Sequence, residues 1–241
     1  MKKLPFLAVF ALSFFLTGCL DVMEEIHLNR DGSGKYAVTI DMSKLFSDDF
    51  MKEMIKSSLQ EEGSLSLGED GFPEMDTIIY FENLPEDQKG KRPEFWNKVR
   101  SNIVMSEEKG QFRTVILLDF DSMEDIAYLF DNLDAISEGS GQLASPTMGG
   151  VLPTGVAYAV AKNVLTRKSR KVESDTVGEE LEMMKMFLGG ASYRTVYHLP
   201  GKVVKANIPG AKVDNNTVTV EVDLLDVWEG NASLDGTIKY K

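Results

Sequence analysis

Between residues 35 and 42 the chain alternates Tyr36, Val38, Ile40 and Met42 with Lys35, Ala37, Thr39 and Asp41. Side chains two apart share one face of a strand, so this segment predicts a strand with one buried face. Residues 20–30 precede it across Asp31-Gly32-Ser33-Gly34, and the two arms predict a β-hairpin. A glycine-rich loop also cradles phosphate where a helix follows and aims its amides at the anion. Here an alternating strand follows, which favours the turn. A second hairpin is predicted from residues 102–106 and 111–120, where Phe112, Thr114, Ile116, Leu118 and Phe120 share a face.

The period changes elsewhere. Ile126, Leu129, Phe130, Leu133 and Ile136 recur at helical spacing, with Ser122 and Asp125 as a capping-box-like start. A helix after the N-cap Ser47 would bury Phe50, Met51, Met54, Ile55 and Leu59, with Phe46 stapled on Met51. A small helix opening at Pro93 would bury Phe95, Trp96 and Val99, and another over 176–188 would bury Val177, Leu181, Met184 and Leu188 before Gly189-Gly190 stops it. Residues 77–81 read as a short buried strand, 156–172 as a long strand or hairpin arm, and 192–199, 203–208, 217–225 and 234–240 as strands. Residues 61–74 read as a loop, and residues 137–155, dense in Gly, Ser, Thr and Pro, as a flexible loop. The fold class this predicts is α+β, a largely antiparallel β-sheet with hairpins and three to four packing helices.

The first 18 residues do not belong to that fold. Lys2 and Lys3 open an apolar run over residues 4–15, and the lipobox Leu16, Thr17, Gly18, Cys19 closes it with the chain's one cysteine. Basic, apolar and small residues in that order form a lipoprotein signal peptide at 1–18, cleaved before Cys19. The domain organisation predicted is that signal, then a single α+β domain over 19–241 with its flexible loop at 137–155. The apolar run is shorter than the ~20 residues of a spanning helix. Lipidated Cys19 would therefore be the membrane contact, and two or more acyl chains, at about 0.8 kcal/mol per buried methylene, hold effectively permanently. The expected address is the bacterial cell envelope, at the outer membrane, on a periplasmic or surface face that the sequence leaves open. Losing Lys2 and Lys3 moves the formal net charge from −12 to −14. A surface so acidic repels nucleic acid, which is excluded as a partner. With Cys19 consumed, the folded part has no thiol for a disulfide, a thiolate metal site or a cysteine nucleophile.

The lipobox, the hairpin around Asp31-Gly32-Ser33-Gly34-Lys35-Tyr36, the strand entry Asp76-Thr77-Ile78 and the stretch Tyr197-His198-Leu199-Pro200-Gly201-Lys202-Val203-Val204 together resemble uncharacterised envelope lipoproteins of Bacteroidetes. More distantly they resemble the LppM-type lipoprotein domain. The resemblance implies an envelope-interaction or lipid-binding role and brings no catalytic residues with it. It also implies that Asp76-Thr77-Ile78, Asp121-Ser122-Met123 and Asp175-Thr176-Val177 match an O-glycosylation acceptor pattern, with helix capping as the competing use of two of them.

Candidate chemistry is sparse. His27 and His198 are the two histidines; neither has a helical partner four residues away, and they read as unrelated strand residues that would make a metal or acid–base site only if the fold joined them. Asp119, Asp121, Glu124 and Asp125 lack the spacing of a calcium loop and read as capping groups. No Gly-x-Ser-x-Gly elbow is present. Arg167, Lys168, Arg170 and Lys171 form one basic cluster, read either as an anionic-surface contact or as a strand end protected by charge. No catalytic residue, metal ligand or cofactor is assigned. The expected function is a non-enzymatic binding or interaction module, tethered by the lipid on Cys19, whose partner is an envelope protein, lipid or glycan. The alternatives are a lipid or amphiphile carrier with an apolar pocket and, third, an envelope hydrolase.

Overall fold

The computed structural model describes residues 20–47, 74–86, 89–132, 156–169 and 188–241, with isolated positions 49, 52, 53, 56, 57, 72 and 185 between them. Twelve strands are described: β1 (Asp21–Leu28), β2 (Gly34–Asp41), β3 (Met75–Tyr80), β4 (Val99–Ser106), β5 (Gln111–Phe120), β6 (Val156–Ala161), β7 (Val164–Ser169), β8 (Ser192–His198), β9 (Val203–Ala206), β10 (Lys212–Asp214), β11 (Thr217–Asp223) and β12 (Gly236–Tyr240). Eight form one sheet in the order β10-β11-β8-β1-β2-β5-β4-β3, and four form a second, β6-β7-β12-β9. Among the described residues two complete α-helices, α1 (Met123–Asp131) and α2 (Leu224–Glu229), and short 3-10 turns join them in an α+β fold whose described strand pairs are antiparallel except β1 with β8. The large sheet takes strands from both sides of residues 137–155.

Alternation decides which face is buried. In β1, Val22, Glu24, Ile26 and Leu28 point inward, and Tyr36, Val38 and Ile40 do so in β2. Against them lie α1, through Met123, Ile126 and Leu129, and the small sheet, through Tyr158, Leu165 and Ile238, in one continuous apolar cluster. The first hairpin closes as its sequence predicts, with the Asn29 amide donating to the Ser33 carbonyl at 2.8 Å. Gly34 lies so close to the neighbouring strand that a Cβ would sit 2.0 Å from the His27 carbonyl oxygen, which excludes any side chain there.

Several elements differ from the sequence reading. β3 is an edge strand rather than a buried one, with Ile78 and Tyr80 exposed. The segment after residue 156 is a hairpin whose turn is Lys162-Asn163, both at positive φ; without glycine it left no turn signal. Strand β11 ends earlier than expected because Asp223 accepts from the amides of Leu225 at 2.8 Å and Asp226 at 3.3 Å and starts α2, which Gly230 ends at φ 78°. At α1 the cap is half of the expected pair. Ser122 holds the N-cap position without a side-chain cap bond, while the Asp125 carboxylate accepts the Asp121 amide at 2.9 Å. The helices expected after Ser47 and over 176–188, and the loops at 61–74 and 137–155, fall largely or wholly outside the described residues.

Candidate functional site

The pairing of β1 with β8 brings together what the sequence keeps apart. The strands run parallel and in register, so His27 stands beside His198 and Glu25 beside Val196. Odd-numbered residues of β1 and even-numbered residues of β8 face outward, which puts Glu25, His27 and His198 on one open face. The two imidazoles stack with centroids 4.1 Å apart and planes 13° apart. Each donates its Nε2–H to the same Glu25 Oε1, at 2.8 Å from His27 and 2.9 Å from His198. On the next strand, Thr217 pairs with His198 and sets its hydroxyl 3.4 Å from His198 Nδ1. The reading of two unrelated histidines is therefore corrected: the fold joins them around one carboxylate. Two imidazole nitrogens and a carboxylate oxygen within 4.8 Å of one another are groups able to share a divalent cation or pass a proton.

At the other end of the same strands the outward face holds a cleft of about 420 Å³, lined by Asp21, Met23, Thr39, Lys44, Ser192 and Arg194 among others. Two ion pairs line it. Lys44 bonds Asp21 at 2.8 Å, and Arg194 bonds Glu221 at 3.3 Å. Burial alone would raise the Asp21 carboxyl, but the bonds from Lys44 and the Ser192 hydroxyl outweigh it and hold Asp21 below its ordinary value.

Inside the sheet a different cluster forms. Glu24, on the inward face of β1, is paired with Arg167 at 3.3 Å, and both are almost completely buried. Tyr36 donates to Glu24 at 2.5 Å and Tyr158 at 3.3 Å, while Arg167 also reaches Ser169 at 3.0 Å and Asp235 at 3.4 Å. Burial, and then the Glu24 charge, push the Tyr36, Tyr158 and Tyr193 phenols far above their ordinary value. Burial also pushes Tyr197 up to about 12, although Arg167 opposes it.

The predicted site residues thus separate. Arg167 does not belong to a surface cluster: its parity on β7 turns it inward beside Leu165, and it neutralises Glu24 there. Lys168, one residue on, is exposed. Arg170, Lys171 and the lipobox residues Leu16, Thr17, Gly18 and Cys19 lie outside the described residues. Asp125 is buried against Arg92 and Lys98, consistent with a structural role. The inward cluster had a signal in the sequence, since Glu24 shares parity with Val22 and Ile26, and a carboxylate in an apolar row requires a buried partner. The histidine pair had none, because Glu25 and His198 are 173 residues apart.

No helix among the described residues is long and apolar enough to cross a membrane. No family model and no curated protein matches the chain. One solved structure that does is the NMR structure of the folded domain of LppM from Mycobacterium tuberculosis, 11% identical, covering all of this chain and 96% of that one with a TM-score of 0.43. It is of the type the sequence resembles more distantly, nothing ties the chain to Bacteroidetes, and at that score the fold and the site rest on this chain's own residues.

Proposed function

We propose that this chain is a lipid-anchored protein of the bacterial envelope, held at the outer membrane by Cys19, that binds a partner without catalysing a reaction. The partner contact is the outward face of the large sheet. The observation that carries this reading is the cleft at the Asp21 end of β1. Only Leu20 separates Cys19 from that strand, and an extended chain spans at most about 3.6 Å per residue. A lipid on Cys19 would therefore lie within about 7 Å of Asp21, at the edge of the cleft, and hold that edge toward the membrane surface. The carrier alternative is less well supported. Between the large sheet and the β6–β7 hairpin the interior is occupied by the Glu24–Arg167 pair and the rings of Tyr36, Tyr158 and Tyr197, with centroids 6.4–6.5 Å apart.

A photoreactive residue placed at Met23 or Arg194 in the full chain in cells tests the assignment. A discrete adduct is expected from both positions and none from Val204, which is exposed on the small sheet. Adducts from Val204 alone, or equally from all three, would refute the outward face as the contact.

A further inference from the structure

We propose that Glu25, His27 and His198 form a binding site for a divalent transition-metal ion of the zinc class. The inference is independent of the partner reading above, since it concerns a cluster at the opposite end of the strands. Both histidines already aim Nε2 at one point, the Glu25 oxygen, and the three ligand atoms lie within 4.8 Å of one another. Tetrahedral zinc at about 2 Å from each ligand holds its ligand atoms about 3.3 Å apart. Reaching that arrangement requires the two rings, now stacked 4.1 Å apart and nearly parallel, to splay by rotation about their side-chain bonds, for which side chains one-third to one-half exposed have room. The backbone positions are fixed by the in-register pairing of β1 with β8, so the cost of bringing the ligands together is met by the fold rather than by the ion.

The chemistry of the donors selects the ion. Two imidazoles with one carboxylate suit zinc, iron(II), copper or nickel, whereas calcium and magnesium take oxygen ligands. Three protein ligands leave a fourth position for water or a partner's group. Coordination requires each Nε2 to give up the proton it now donates to Glu25. At His198 the ring stays neutral by carrying its proton on Nδ1 and donating it to the Thr217 hydroxyl, an outer partner of the kind that orients metal-bound histidines.

Because His27 and His198 are the two histidines of the chain, their ring nitrogens report directly. The untagged full chain in detergent, titrated with zinc chloride alone and followed by ¹⁵N NMR of the histidine rings, should show both Nε2 signals moving to metal-bound positions together and saturating at one equivalent. Excess magnesium should not reverse the shift. Replacing either histidine, as His27→Asn or His198→Asn, should weaken binding at least about tenfold. Failure of either ring to respond, or equal affinity in the double variant with an unchanged melting temperature, would overturn the site.

Discussion

Replacing Arg167 with Met tests whether the basic run after residue 166 is surface or interior. The Arg167 and Glu24 side chains are each at most 2% exposed and 3.3 Å apart, so the variant leaves a carboxylate in the interior with only tyrosine hydroxyls, those of Tyr36, Tyr158 and Tyr193, to donate to it. Breaking a buried pair on one side costs about 3–5 kcal/mol. That is a large part of the roughly 5–15 kcal/mol that holds a domain folded. At about 2–4 °C per kcal/mol for a chain of this length, the melting temperature should fall by roughly 6–20 °C. Removing both charges, as Glu24→Leu with Arg167→Met, should recover part of the loss, because no unpaired ion remains although the buried Tyr36 and Tyr158 hydroxyls lose their acceptor. Lys168→Gln serves as the neighbouring control and should stay within about 0.5 kcal/mol. Urea and thermal unfolding of the four proteins measure all of this. A cost below about 1 kcal/mol for Arg167→Met, matching Lys168→Gln, would refute the buried-pair reasoning.

Two further expectations concern pH. Four phenols, those of Tyr36, Tyr158, Tyr193 and Tyr197, are raised in the folded state, so their contribution to stability is complete below the unfolded value of about 10 and is lost as pH rises beyond it. Ultraviolet titration should show these four ionising only with unfolding; their ionisation near pH 10 in a protein that stays folded would contradict this. Asp125 has the opposite sign. Burial would raise its carboxyl, but the Arg92 bond, the Asp121 amide and the Lys98 charge hold it below the ordinary value, so its contribution is present above about pH 4 and fades as pH falls through the depressed value. Asp125→Asn should cost about 1.5–3 kcal/mol at pH 7, and urea midpoints should converge with the parent protein's in acid; a constant gap would argue against it.

What the sequence made legible follows the range of the interactions. The β1–β2 and β4–β5 hairpins were readable because alternation and turn residues are local, and α1 because Ile126 and Leu129 repeat at helical spacing. Lys162-Asn163 escaped because its backbone adopts the left-handed region without the glycine that usually announces it. The inward Arg167 was hidden by its basic neighbours, although the parity of Glu24 called for such a cation. The histidine site was out of reach, because a parallel pair between β1 and β8 depends on the register of two distant strands.

The proposal that the chain works as a lipid-tethered module is decided by the mass of the protein extracted from membranes. Intact-mass and N-terminal peptide spectrometry should find a chain that begins at Cys19, lacks residues 1–18 and carries acyl groups on that residue. A chain that retains Met1, or one that begins elsewhere with Cys19 unmodified, would contradict the account.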